Sequence, residues 1–324
     1  MKGRSKRVRI LVTGGGGFIG SHLVERIARE GHPVRVLDNF STGRESNLEG
    51  IGGDIEVIKG DIRDEKTVRR AVRDIGFVYH EAALPSVARS VEAPEESNAV
   101  NIDGTLRLLV AAKEAGLRRF VYASSSSVYG DSPSLPKSED MTPGPLSPYA
   151  VQKLVGEYYC RVFSLIYGLE TLSLRYFNIF GPRQDPDSEY SAVIARFLRD
   201  ALSGRAATIH GDGEQSRDFT YVENVVEANW AALAVKRTAG EVLNIACGER
   251  ISVKDLYERV KKVTGSRAEA VHGPARSGDV RHSLASIDQA RAFLGYRPLV
   301  GLEEGLRRTK EWMRDLTPSR APRS

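Results

Sequence analysis

The sequence predicts an α/β protein in which a doubly wound parallel sheet is joined to a smaller α/β C-terminal lobe. In the first half of the chain, short runs rich in β-branched residues alternate with amphipathic helical patterns. Such alternation is typical of consecutive strand–helix–strand units. The runs are apolar almost throughout, as expected for parallel strands that helices cover on both faces.

Six strands and four helices are predicted before residue 178. The strands are expected at residues 8–13, 34–38, 57–60, 77–81, 120–124 and 172–176. The helices are expected at residues 19–30, 65–74, 98–115 and 148–167. Because each helix lies between two strands, the strands can form one parallel sheet.

After Asn178 the pattern becomes irregular. A loop rich in Pro, Asp and Ser precedes a helix at residues 192–203, and the strand-like EVLNIA precedes the helical SVKDLYERVKKV. We therefore place a first domain at residues 1–177 and the smaller lobe at residues 178–324. A later part of the chain, about residues 215–250, is expected to return to the first sheet.

Composition argues against several classes of protein. Among 324 residues, 41% are hydrophobic and 27% charged, which is ordinary for a soluble globular protein. Apolar runs are too short for a membrane span and the N-terminus does not resemble a signal peptide, so a cytoplasmic protein without a membrane partner is expected. The net charge of +5 comes with no basic stripe interleaved with aromatics, so no nucleic-acid partner is expected.

Neither the cysteines nor the histidines suggest a metal. Cys160 and Cys247 lack the spacing of a metal or redox site, and the six histidines show no ligand pattern. His80 ends an apolar strand, where a structural role is the simpler interpretation, and His282 is either a pocket or a loop residue. We predict no catalytic metal.

The segment ILVTGGGGFIGSHLVERI reads as a strand, a glycine turn and a helix. Gly14, Gly17 and Gly20 have the spacing G-x-x-G-x-x-G. Glycine permits the tight turn and the close approach of the backbone to a pyrophosphate, which then lies at the helix N-terminus. In this context the turn predicts a dinucleotide-binding Rossmann sheet.

Two aspartates follow at predicted strand ends. Asp38 lies 18 residues after Gly20, where a carboxylate accepts the hydroxyls of the adenosine ribose and repels a 2′-phosphate. This favours NAD over NADP, although a strand-end turn would also suit an aspartate. Asp61, in GDIRD, could contact adenine or cap the following helix, and both interpretations stay open.

The segment LSPYAVQK places Tyr149 four residues before Lys153 at a helix start that Pro148 favours. The two side chains share one helical face, where the ammonium would lower the pKa of the phenol and suit it to proton transfer. The preceding strand ends in ASSSSVYG, so Ser125 is expected at the ligand crevice, bonded to the oxygen being oxidised. A buried tyrosine and a polar serine turn are the plainer alternatives.

Together these motifs resemble the extended short-chain dehydrogenase/reductase family. The glycine turn, Asp38, SSSSVYGD, SPYAVQK and LRYFNIFGPRQDP carry the resemblance, which spans about residues 8 to 310. Within the family the chain is similar to the NAD-dependent UDP-sugar 4-epimerases. The resemblance implies that Tyr149 is the catalytic base, that Lys153 lowers its pKa and holds the nicotinamide ribose, and that Ser125 bridges the sugar 4-oxygen.

The resemblance also implies contacts with NAD and with a UDP-sugar. Those with NAD are implied for Gly14, Gly17, Phe18, Ile19, Gly20, Asp38, Asn39, Ser41, Thr42, Gly43, Asp61, Ile62, Ala82, Ala83, Asn101, Tyr149, Lys153 and Tyr176. Those with the substrate are implied for Ser125, Ser126, Tyr149, Asn178, Val193, Arg217, Arg276, Asp279 and Ser283. Arginine forks suit the diphosphate and a carboxylate suits the uridine ribose, although each residue alone could be a surface ion-pair residue.

The implied reaction inverts C4 of a UDP-hexose through a transient 4-keto sugar. Aligned on Gly278 and Asp279, the position that gates the sugar 2-substituent falls at Ser283, where a small residue leaves room for an N-acetyl group. We therefore expect UDP-N-acetylglucosamine and UDP-N-acetylgalactosamine as substrates, with UDP-glucose and UDP-galactose also accepted. The alternatives are restriction to the non-acetylated pair, UDP-glucuronate epimerisation and a catalytically silent NAD-binding protein. A 4,6-dehydratase is disfavoured because Ser126 and Ser127 follow Ser125 in place of an acid–base pair.

A homodimer is implied as well, because the family usually pairs through two helices. Residues 98–115 and 148–167 are the candidates. Their excess apolar positions, which could equally pack against the sheet, are Leu106, Leu109, Val110, Val155, Tyr158, Tyr159 and Phe163.

Overall fold

The computed structural model describes residues 8–186, 193–275 and 280–316. Its strands are β1 (Ile10–Thr13), β2 (Val34–Asp38), β3 (Ile55–Lys59), β4 (Phe77–His80), β5 (Arg119–Ser125), β6 (Glu170–Tyr176), β7 (Ile179–Phe180), β8 (Thr208–His210), β9 (Ser216–Arg217), β10 (Thr220–Tyr221), β11 (Glu241–Ile245), β12 (Ile251–Ser252) and β13 (Val271–Gly273). Its helices are α1 (Phe18–Arg29), α2 (Glu65–Ala71), α3 (Val87–Glu92), α4 (Pro94–Asn98), α5 (Thr105–Glu114), α6 (Pro148–Tyr167), α7 (Val193–Leu202), α8 (Val222–Ala234), α9 (Val253–Thr264), α10 (Asp288–Leu294) and α11 (Leu302–Leu316).

Seven parallel strands form the central sheet in the order β11-β6-β5-β4-β1-β2-β3. The predicted doubly wound Rossmann sheet is therefore confirmed. Strand order reverses between β1 and β4, and in such sheets ligands bind outside the carboxyl ends of the strands at this point.

The two faces of the sheet are covered by different helices. Along β1, Ile10 and Val12 lie in one core cluster with α1 and α8, and Leu11 lies in a second cluster with α2, α5 and α6. This follows from the period of two along a strand, which points successive side chains to opposite faces. Burial on both faces explains why the strands are apolar throughout.

The predicted helix at residues 98–115 is not a single α-helix. It consists of the end of α4, one π-helical turn at Ala99–Gly104, and α5. In the π turn the Asn101 side chain accepts from the Leu84 N–H at 2.8 Å and donates to the Leu84 carbonyl at 3.1 Å. Wide turns of this kind are frequent at functional sites.

The second half of the chain contributes to both parts of the molecule. β11 pairs with the edge strand β6, and α8 packs beside α1. The helices α7, α9 and α11 surround a third core cluster, while α10 packs in the first one. No helix within the described ranges is long and apolar enough to cross a membrane.

Candidate active site

A cleft of about 1720 Å³ lies at the carboxyl ends of the strands and is lined by residues of both halves of the chain. The predicted site residues that line it are Gly14, Gly17, Phe18, Ile19, Gly20, Asp38, Asn39, Ser41, Thr42, Gly43, Asp61, Ile62, Ala82, Ala83, Ser125, Ser126, Tyr149, Tyr176, Asn178, Val193, Arg217 and Ser283. Lys153 and Asn101 lie behind the lining. Arg276 and Asp279 lie outside the described residues.

The glycine turn between β1 and α1 has the shape that a dinucleotide requires. Gly14 has φ +70°, and a Cβ at Gly20 would lie 2.1 Å from the Gly14 carbonyl oxygen. Among the described residues no side chain caps the N-terminus of α1. The first amides of α1 can therefore bind an anion, as a pyrophosphate would need.

Asp38 and Asp61 both line the cleft, at the end of β2 and shortly after β3. Asp38 accepts hydrogen bonds from the Gly16 and Phe40 amides, each at 2.8 Å, and its burial raises its pKa. Asp61 accepts a hydrogen bond from the Asn39 side chain at 2.9 Å, while its bonds with Arg63 lower its pKa to about 2. Asp61 does not cap the next helix, because Asp64 is the N-cap of α2.

Tyr149 lies in the first turn of α6, directly above the end of β5. Ser147 accepts from the Ala150 amide at 3.2 Å and Pro148 occupies the first turn, so local sequence determines where the helix begins. The phenol is hydrogen-bonded to Ser125, and its burial raises its pKa to about 12. The Ser125 bond acts in the opposite direction, but the cost of burying a phenolate is larger, so the pKa is not lowered as the spacing with Lys153 predicts.

Lys153 is buried beneath the cleft floor. Its Nζ donates to the Ala123 carbonyl at 2.7 Å and lies 5.8 Å from the centre of the Tyr149 ring. Burial lowers its pKa to about 8, opposed by Glu81 and Glu157. The ammonium and the phenol are thus neighbours, as their spacing predicts.

Sequence reasoning missed a buried carboxylate behind β5. Glu157 pairs with Arg175 through two hydrogen bonds, of 2.9 and 2.7 Å, and accepts a third from Ser124. It lies four residues after Lys153 and eight after Tyr149, so helical periodicity places all three on one face. That spacing is the signal that could have found it.

A second missed carboxylate, Glu81, follows β4 and lines the cleft. It accepts a hydrogen bond from the Tyr176 hydroxyl at 2.8 Å. A charged residue at the carboxyl end of a central parallel strand was the available signal. We call Ser125, Tyr149, Tyr176 and Glu81, together with Lys153 directly behind them, the catalytic wall.

The opposite side of the cleft, which we call the recognition wall, consists of Asn178, Arg217, His282 and Ser283. The Ser283 amide donates to the Ser216 carbonyl at 2.9 Å, and His282 Nδ1 is bonded to the Ser216 hydroxyl at the same distance. Asn178 has φ 42° and donates to the Asp218 carbonyl at 2.9 Å. Backbone pairing between distant segments therefore assembles this wall.

His80 is enclosed by hydroxyl groups. Its ring nitrogens are bonded to Thr13 at 2.7 Å and Thr105 at 2.9 Å, and burial lowers its pKa to about 3. The neutral ring therefore ties β1, β4 and α5 together. Across residues 8–186, 193–275 and 280–316, no three His, Cys, Asp or Glu side chains form a group that could hold a metal.

Comparison with known proteins agrees with this geometry. Residues 10–246 match the model of the NAD dependent epimerase/dehydratase family. A UDP-glucose 4-epimerase of Mycolicibacterium smegmatis is 39% identical over 95% of this chain and 99% of the relative. A UDP-N-acetyl-alpha-D-glucosaminuronate decarboxylase of Bacillus cytotoxicus is 35% identical over 95% of this chain and 98% of the relative.

Among solved structures, the UDP-N-acetylglucosamine 4-epimerase of Methanobrevibacter ruminantium, in complex with UDP-N-acetylmuramic acid, superposes with a TM-score of 0.92. It is 38% identical, and the match covers 97% of this chain and all of that one. Sequence, sheet order and cleft thus agree, and the chain belongs to the NAD dependent epimerase/dehydratase family.

Proposed function

We propose that this chain is an NAD-dependent isomerase that inverts C4 of a UDP-hexose. The observation that carries the proposal is the hydrogen bond between Ser125 and Tyr149 at the cleft floor, with Lys153 buried beneath them. The glycine turn lines the same cleft. Binding and proton-transfer groups thus converge on one site.

Bound NAD⁺ would supply the hydride acceptor and donor that the reaction needs. The proton chemistry belongs to Tyr149, which would take the proton from the sugar 4-hydroxyl and later return it. The positive charges of the nicotinamide ring and of Lys153 would favour the phenolate against the cost of burial. Ser125, bonded to the phenol, would hold the sugar oxygen in line.

Inversion requires that the keto sugar turn over while its nucleotide stays bound. The recognition wall offers Arg217 for the diphosphate, and remote binding energy of this kind can hold a ligand whose reacting part is loosely gripped. The cleft of about 1720 Å³ extends from the glycine turn to the recognition wall, so it can hold both the dinucleotide and the UDP-hexose.

For the substrate we infer the N-acetylated pair, UDP-N-acetylglucosamine and UDP-N-acetylgalactosamine, with the non-acetylated pair also accepted. The support is Ser283, whose small side chain lines the cleft. A tyrosine at this position would add an aromatic wall against the sugar 2-substituent.

A side-by-side assay of UDP-glucose, UDP-galactose, both N-acetyl sugars and UDP-glucuronate tests both proposals. The wild type should turn over both 4-epimeric pairs, and Ser283→Tyr should lose the acetylated pair while keeping the other. Turnover of UDP-galactose without UDP-N-acetylglucosamine would overturn the Ser283 argument. No turnover of any sugar would overturn the enzyme assignment.

We also propose a homodimer formed through α6. Six exposed apolar side chains lie along this helix: Val151, Tyr158, Val162, Leu165, Ile166 and Tyr167. Leu109 and Phe163, which were candidates from sequence, are buried in the core and cannot form the contact. Sedimentation should show a dimer, and Leu165→Glu should produce a monomer. A wild type that is monomeric at micromolar concentration would contradict the proposal.

A further inference from the structure

Glu81 is a largely buried carboxylate that the proposed proton transfer does not use. Glu81 directly follows β4. The next residue, Ala82, packs against the glycine turn, since a Cβ placed on Gly14 would lie 2.7 Å from the Ala82 amide nitrogen. Glu81 also lines the cleft on the same side as Tyr149 and Tyr176. A carboxylate is thus placed between the glycine turn and the catalytic phenol.

Hydrogen bonds fix the orientation of this carboxylate. Asn229 donates to the Tyr176 oxygen at 2.8 Å, so the Tyr176 proton is directed to Glu81 Oε1, also at 2.8 Å. The Glu81 amide donates to the Thr13 carbonyl at 3.1 Å. Three separate elements (β1, β6 and α8) therefore position one charge, which is the kind of support that functional groups have.

The charged and titratable groups that face Glu81 are few. Lys153 attracts its carboxylate from α6, while the phenols of Tyr149, Tyr176 and Tyr79 lie on α6, β6 and β4. Burial raises the pKa of Glu81 to about 7, and the Tyr176 bond and Lys153 act in the opposite direction. Its charge therefore changes near neutral pH.

We propose that Glu81 is an electrostatic positioning residue that favours the oxidised, cationic nicotinamide ring over the reduced, neutral one at this site. The inference rests on the proposed function, because it takes the nicotinamide to lie beside Tyr149. A fixed carboxylate in a low-dielectric cleft attracts a cationic ring and gains nothing from a neutral one. Such a preference would suit an epimerase. Stronger binding of NAD⁺ than of NADH favours return of the hydride to the keto sugar before that sugar dissociates.

Competition binding tests the inference directly. The full chain, freed of nucleotide, is equilibrated with mixtures of NAD⁺ and NADH, and the bound fraction of each is read from the near-ultraviolet absorbance of the reduced ring. In the wild type the preference for NAD⁺ should rise as the pH passes through about 7. Glu81→Gln, which can still accept from Tyr176, should lower the preference at high pH by about tenfold and remove the part of the rise that comes from ionisation of Glu81.

Two further variants separate charge from structure. Tyr176→Phe removes the donor that lowers the pKa of Glu81, so the rise should remain and move to higher pH. Glu96→Gln removes an exposed carboxylate of the same cleft, and its effect should be less than about twofold. Loss of the Lys153 charge, whose pKa is about 8, also favours NAD⁺ at high pH, and because the Glu81 charge raises that pKa, this step remains in Glu81→Gln and moves to lower pH. The comparison that isolates the Glu81 charge is therefore the preference measured well above pH 8, where Lys153 is neutral in both proteins.

An unchanged preference and pH profile in Glu81→Gln would overturn the inference. The sugar assay is independent of this result, because it measures turnover and the competition measures binding. A lowered preference in a chain that epimerises no sugar would support the role of the Glu81 charge and overturn the proposed function alone.

Discussion

The ion pairs beside the two walls of the cleft differ in how far they are exposed to solvent. Behind the catalytic wall, the Arg175–Glu157 pair has side chains only 4% and 2% exposed. At the edge of the recognition wall, the Arg281–Asp212 pair is 54% and 52% exposed. Both pairs have a closest separation of 2.7 Å, so they differ in solvation and not in contact.

The difference indicates a division of labour within one cleft. Burial shifts the pKa values of Glu81, Tyr149 and Lys153, and strongly shifted pKa values cluster at functional sites. Exposed groups keep their hydration and bind an anionic ligand without a large cost of burial. The groups with strongly shifted pKa values thus lie on the catalytic wall, and the solvent-exposed ion pair lies beside the recognition wall.

The largest effect is expected for Tyr149→Phe. Removing the phenolic oxygen should lower kcat by about a thousandfold or more, since no other group would move the proton. NAD should still be retained on gel filtration, because the glycine turn is untouched. Steady-state kinetics measure the change, and unaltered turnover would refute the role of Tyr149 as the base.

The buried and exposed ion pairs should differ strongly in their contribution to stability. Glu157→Ala leaves Arg175 buried without its partner and should cost about 3–5 kcal/mol. The matched change Asp212→Ala, in the exposed pair, should leave the free energy of unfolding almost unchanged. Urea unfolding measures both, and equal costs would show that solvation is not what separates the two walls.

Glu81→Gln should change the pH dependence of stability. The pKa of Glu81 is raised in the folded state from 4.5 to about 7, so its ionisation destabilises the wild type as pH rises between these values. The variant should therefore be more stable than the wild type by about 3 kcal/mol at pH values above 7, and the gain should vanish near pH 4.5. Unfolding at a series of pH values tests this, and a constant difference would contradict it.

The smallest effect is expected on the recognition wall. Arg217→Ala should raise KM for a UDP-sugar by about tenfold through the loss of charge-assisted bonds to the diphosphate, with kcat little changed. Arg281→Ala, outside the cleft lining, is the matched control and should change KM by less than about twofold. A fall in kcat without a change in KM would place Arg217 in the chemistry instead.

Local sequence predicted the elements that carry the strongest local signals. α6 begins and ends where predicted, because Ser147 and Pro148 start it and Gly168, at φ 71°, ends it. The glycine turn was also predictable from local sequence, because its backbone passes so close to neighbouring atoms that only glycine fits. The π turn around Asn101 was not, because it depends on a bond to Leu84, 17 residues away.

The sequence by itself determined the sheet, the dinucleotide turn and the neighbouring Tyr149 and Lys153, because each depends on periodicity or on steric limits within a few residues. Only the tertiary structure decided what those groups face. Glu81 meets Tyr176 from a strand 95 residues away. The pKa of Tyr149 is raised and not lowered, because burial is a sum over the whole surrounding fold.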